Sequence, residues 1–141
     1  MTEANLTISG GCLCGAVRYS ASGQPVRVRA CWCRVCQYLA SGSASVNAMF
    51  CTADITFTGA LARFESSADS GNKMVRSFCP VCGTPVTTAA IARPDLVGVR
   101  LGTLDNPSLL QPTAVIWTSS APVWACIDPN LPATASQPPP L

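Results

Sequence analysis

The sequence predicts a mainly β fold with one short helix, and two observations carry that expectation. Charged residues make up only 11% of the 141 positions and a single lysine, Lys73, occurs. Helical surfaces draw heavily on Lys and Glu, so this surface suits strands better. Thr, Val and Ser abound instead, in short alternating runs divided by Gly, Pro and Ser.

The runs can be followed along the chain. Residues 6–9 make a first β-type stretch closed by Gly10 and Gly11, and 16–21 alternate before Ser22 and Gly23. Residues 25–30 alternate again and feed directly into a cysteine-rich segment. Residues 35–40 are the one good helix candidate, stopped by Ser41, Gly42 and Ser43. Strand-length runs at 46–50, 55–58, 61–66, 74–78, 97–101, 114–118 and 123–127 carry β-branched or aromatic residues, while Pro80, Gly83 and Pro85 mark turns. Residues 1–132 are expected to form one domain, with the first four or five frayed. Residues 133–141, including Pro138, Pro139 and Pro140, read as a flexible tail too polar to pack.

Seven of the nine cysteines fall into three tight groups: Cys12-x-Cys14, Cys31-x-Cys33-x-x-Cys36 and Cys79-x-x-Cys82. Buried hydrophobes have no reason to cluster in this way, whereas metal ligands do. Neither a familiar iron–sulfur spacing nor the βαβ setting of a thioredoxin-like motif surrounds them. Four thiolates close a tetrahedral zinc, and three leave one position open. The economical partition joins Cys12, Cys14, Cys79 and Cys82, leaving Cys31, Cys33 and Cys36 apart. Gly11, Gly15, Pro80 and Gly83 flank the outer pairs, letting the backbone turn back and aim N–H groups at the sulfurs. The chain has no histidine, so a fourth ligand for the trio is a carboxylate, another cysteine, water or an incoming thiolate. Cys51 and Cys126 sit in apolar β-type surroundings and read as core.

No apolar run approaches the ~20 residues of a membrane span, and no basic stretch leads into an apolar segment at the amino terminus. A soluble, cytoplasmic protein is expected, where thiols serve as ligands rather than disulfides. The formal charge of +2 provides no basic footprint for nucleic acid.

With their surroundings, these motifs resemble the glutathione-dependent formaldehyde-activating (centromere protein V-like) zinc domains. The matching stretches are Gly11-Cys12-Leu13-Cys14-Gly15-Ala16-Val17-Arg18-Tyr19, Cys31-Trp32-Cys33-Arg34-Val35-Cys36-Gln37 with Ser41-Gly42-Ser43, and Phe78-Cys79-Pro80-Val81-Cys82-Gly83-Thr84. Gly102-Thr103-Leu104-Asp105-Asn106-Pro107, Ile116-Trp117 and Trp124 follow in the family's order, so the match spans about residues 10–132. The resemblance implies a β-tent fold of several small antiparallel sheets around two Zn²⁺ ions. It puts a structural ion on Cys12, Cys14, Cys79 and Cys82 and a catalytic one on Cys31, Cys33 and Cys36. It implies carbon–sulfur lyase chemistry joining glutathione, or a similar small thiol, with formaldehyde as S-(hydroxymethyl)glutathione. The family usually carries His between the first two cysteines of the trio. Trp32 stands there in this chain, so a group that can accept a proton gives way to one that only donates.

Candidate substrate contacts are Trp32, Arg34 and Ser43. Arg34 and the amides around Ser41-Gly42-Ser43 suit a developing alkoxide, and Arg34 suits a carboxylate equally well. Ser43 and Asp105 also read as turn residues, and Trp117 and Trp124 as core or cavity wall. The alternative function class is a non-catalytic zinc module or a thiol-binding carrier, because zinc already holding three thiolates is a weakened Lewis acid.

Overall fold

The computed structural model describes residues 7–139, and their strands divide between two sheets. In the smaller one, β1 (Thr7–Gly11), β2 (Arg18–Ser22) and β5 (Ile55–Thr58) lie antiparallel in that order. The larger runs β10 (Ala114–Ile116), β3 (Arg27–Cys31), β4 (Ser45–Cys51), β9 (Leu96–Arg100), β8 (Pro85–Ala90), β7 (Lys73–Phe78) and β6 (Ala62–Ser67). Every pairing in it is antiparallel except β10 with β3. One helix, α1 (Arg34–Leu39), follows β3. The mainly β expectation is met, and the predicted helix is displaced by one residue.

Alternation along the strands decides which face of the large sheet is buried. Val28 of β3, Ala48 and Phe50 of β4, and Val99 of β9 turn to one side. There they meet Ile8, Tyr19 and Ala21 of the small sheet in a single cluster. The opposite face consequently carries Arg27, Arg29 and Cys31 of β3, Asn47 of β4, Arg100 of β9 and Arg76 of β7. The Tyr19 hydroxyl lies 2.7 Å from the Thr103 hydroxyl. At Gly10 a Cβ would sit 2.2 Å from the Thr103 carbonyl oxygen, so this close approach requires glycine.

Two expectations about strands change. Residues 123–127 form no strand. The free edge of β10 is taken by residues 132–134: the Val115 amide donates to Pro132 O at 2.9 Å and the Thr134 amide to Val115 O at 3.0 Å. Without an edge to join, Ala125 and Ile127 pack instead against Ala30, Trp32 and Val115. Conversely, Pro85, read as a turn residue, opens β8. A missing N–H is tolerated at the first residue of a strand, and the register shifts between Ser77 and Phe78 opposite it.

The 133–141 segment, expected not to pack, is hydrogen-bonded through its first residues. Thr118 and Ser119 donate their amides to Thr134 and Ala135 carbonyls, each at 3.2 Å. Trp117 Nε1 donates to Gln137 Oε1 at 2.9 Å. The expected fraying of the first residues, and the place of Leu6 in the first strand, lie outside the described residues. Among the described residues no helix is long and apolar enough to cross a membrane.

Candidate metal centres and the cavity beside them

The first cysteine knuckle follows β1 and the third follows β7, and the tertiary fold brings them together. The sulfurs of Cys12, Cys14, Cys79 and Cys82 all lie within 4.8 Å of one another. Cys12 Sγ is 3.6 Å from Cys14 Sγ, which is 3.8 Å from Cys79 Sγ. A tetrahedron with metal–sulfur bonds near ~2.3 Å has edges of ~3.8 Å, so the set has the right size for a zinc-like ion. Backbone amides point at the sulfurs: Val17 at Cys12 (3.2 Å), and Val81 and Cys82 at Cys79 (3.4 and 3.5 Å). Gly15 and Gly83 make the returns possible at φ +84° and +77°. The Thr84 hydroxyl and then its amide hold the Cys82 thiol down at about 5, favouring the thiolate that a metal needs.

The second group is built within six residues of chain. Cys31 ends β3, and Cys33 caps α1, its sulfur accepting from the Cys36 amide at 3.3 Å. Gln37 anchors the helix, donating from Nε2 to Trp32 O (2.8 Å) and Ser120 O (3.0 Å). The three sulfurs of Cys31, Cys33 and Cys36 are buried and lie within 4.8 Å of one another, so they too can hold a metal ion. Among the described residues no other Cys, Asp or Glu completes the group. Hydrogen bonds from Cys31 and Cys33 pull the Cys36 thiol down to about 3 against its burial, helped by Ser45 and the charge of Arg100. The same crowding, with burial, pushes Cys31 up.

The trio opens onto a cavity of about 390 Å³ whose floor is the half-buried face of the large sheet turned away from the core. Ile116 and Trp117 pack against the trio, and the 137–139 segment, Asp69, Ser70 and Asn72 complete the walls. Trp117 adopts a left-handed backbone (φ 60°), which for a non-glycine residue is strained by about 1–2 kcal/mol.

The predicted substrate contacts are not brought to this cavity. Trp32, although between two of its cysteines, is 5% exposed on the other side of β3, edge-on to Trp124 with ring centres 6.4 Å apart. Arg34 is exposed, its guanidinium 5.0 Å from the Tyr38 ring centre and 2.6 Å from Gln37 Oε1. Ser43 lies in the exposed turn after α1, its amide bonded to Ala40 O at 3.3 Å. Cys51 and Cys126 are exposed rather than core. Alternation sends Cys51 outward once Phe50 points in, and Cys126 belongs to no strand.

Sequence reading passed over the residues that do line the cavity, namely Arg27, Arg29, Asn47, Arg76 and Arg100. A signal existed for two of them, since Arg27 and Arg29 share the phase of Cys31 in an alternating strand. Arg76 and Arg100 reach the same face only through register across β4, β9, β8 and β7.

A family model described as the glutathione-dependent formaldehyde-activating enzyme matches residues 7–120. Among solved structures, a Rhodobacter sphaeroides protein is similar, with a TM-score of 0.56 and 23% sequence identity over 74% of this chain and 96% of that one. This likeness concerns the fold. No curated protein matches the chain in sequence.

Proposed function

The chain belongs to the glutathione-dependent formaldehyde-activating enzyme family, and on that premise we propose that it is a zinc-dependent carbon–sulfur lyase-type enzyme acting on thiol–aldehyde adducts. Glutathione with formaldehyde is the nearest model reaction. In this reading Cys12, Cys14, Cys79 and Cys82 hold a structural Zn²⁺, and Cys31, Cys33 and Cys36 a catalytic one. The observation that carries it is the trio itself: three buried sulfurs within 4.8 Å, no fourth side-chain ligand among the described residues, and a cavity on the open side.

Bound there, the metal would lower the pKa of an incoming thiol so that it reacts as a thiolate near neutral pH. The protein's own groups do the rest. Adding sulfur to an aldehyde carbon moves negative charge onto the carbonyl oxygen, which needs a positioned donor. Arg100 fits that task. It is 9% exposed and lines the cavity, and Nε and Nη2 have no partner while Nη1 is held by Asn47 Oδ1 at 2.8 Å. Its charge is felt by Cys36, Cys31 and Cys33. Ile116 and Trp117 limit water at the reacting end. Run in reverse, the same donor releases the oxygen as the carbon–sulfur bond breaks.

The test is exchange NMR of glutathione with formaldehyde, with and without the zinc-loaded protein. Wild type should accelerate exchange, and Cys36→Ser should abolish the acceleration while keeping the fold. Absence of acceleration with several thiols would sink the lyase reading.

A further inference from the structure

Resting on the reading above, the trio engages one sulfur, and the remainder of the thiol-bearing molecule has to lie along the sheet face. That face is strongly cationic. Arg29, Asn47 and Arg100 stand in one register row, and Arg27, Met49, Gly98, Thr88 and Arg76 in the next. Among the described residues none of Arg27, Arg29, Arg76 and Arg100 has a carboxylate within salt-bridge distance. The acidic side chain on the lining, Asp69, accepts the Arg34 amide at 3.0 Å.

Guanidinium groups collected on a half-buried face repel one another unless an anion offsets them. Burial first, and then the charges of Arg29 and Arg93, depress the Arg27 guanidinium to about 10. The cysteine trio accounts for part of the set. Arg100 and Arg29 feel the thiol charges, but Arg27 feels only other cations. Arg27 and Arg29 are four and two residues from Cys31 on one strand face, which at ~3.3 Å per residue places them roughly 13 and 7 Å from it. Bidentate anion recognition is what a guanidinium does best.

We propose that Arg27 and Arg29, with Arg76 beside them, are specificity residues for a thiol bearing two or more carboxylate or phosphate groups uncompensated by an ammonium. Glutathione, with two carboxylates offset by one ammonium, is then an acceptable but not the preferred thiol. Among the described residues the two arginine rows carry no carboxylate, and Asp69 of the lining, bound to the Arg34 amide, pairs with none of these arginines, so an ammonium finds no partner on their rows.

Binding of unreactive S-methyl thioethers to the zinc-loaded full chain, followed by calorimetry, reads this face without requiring any chemistry. S-methyl mercaptosuccinate should bind more tightly than S-methylglutathione, and the dimethyl ester of the former about tenfold or more weakly. Arg27→Gln and Arg29→Gln, both at partly exposed positions, should each weaken the dianion by a similar factor and leave the ester unchanged. Competition by tricarballylate or by pyrophosphate distinguishes a carboxylate-bearing from a phosphate-bearing substrate. If neither competes, or if ester and diacid bind equally to wild type, the proposal is overturned. Anion binding without accelerated exchange would remove the lyase reading alone, and accelerated exchange indifferent to thiol charge would remove this one alone.

Discussion

Asp105 shows how a residue read as a local turn former acquires a long-range role. Its carboxylate accepts from Arg18 Nη1 and from Ser9 Oγ, each at 2.9 Å, and makes a second contact with Arg18 Nη2. The Arg18 guanidinium, and then the Ser9 hydroxyl, hold its carboxyl below the usual range. A depressed folded-state pKa means the stabilisation is fully present above the ordinary value near ~3.9 and is lost as pH falls through the folded one. Asp105→Asn should therefore lower the denaturation midpoint slightly at neutral pH, with the gap to wild type closing below pH ~4. Both side chains are about half exposed (46% and 47%), so the effect is that of a surface ion pair. A gap independent of pH would contradict this assignment.

At the scale of elements, α1 has six residues, too few to persist without tertiary support. Its cap is a cysteine sulfur and its anchor is Gln37, which is 6% exposed and spans from the β3–α1 junction to the turn at Thr118–Ser120. Gln37→Ala strands two carbonyls, a change expected to destabilise by about 1–3 kcal/mol. Because the same clamp holds the helix that carries Cys36, the trio should also lose its metal more readily. Zinc content after mild chelation, read beside thermal melts, checks both effects. Loss of stability with unchanged zinc retention would show that α1 is held independently of Gln37.

For the whole molecule, the four-cysteine group is a clasp between the sheets. Cys12 and Cys14 leave β1 of the small sheet, and Cys79 and Cys82 leave β7 of the large one, Cys14 and Cys79 being 65 positions apart. Closing so long a loop is the task that a structural metal, worth on the order of 10 kcal/mol of apparent free energy, performs well. Cys79→Ser should unfold the domain, whereas Cys33→Ser should leave it folded with one zinc fewer. Graded chelation should remove the trio's ion first without loss of secondary structure. Equal unfolding by both variants in circular dichroism would overturn the division of labour between the two groups.

The β content, the α-helix after β3 and the partition of seven cysteines into four and three were legible in the chain, because each depends on local spacing or on counting ligands. Alternation likewise set Arg27 and Arg29 on the side of Cys31. Three things depended on tertiary structure. Whether residues 123–127 or 132–134 would use the edge of β10 depended on competition for a single row of hydrogen-bonding groups. Trp32, Arg34 and Ser43 are neighbours of the trio in sequence but turn away from its cavity, since adjacent strand residues face opposite sides and α1 carries Arg34 into solvent. The convergence of Arg76 and Arg100 on the cavity floor required the register of four antiparallel strands. Sequence by itself determined which atoms can hold metal, because close ligand spacing is local. Only the tertiary structure decided what the open side of the trio faces, because a sheet face is assembled from strands distant along the chain.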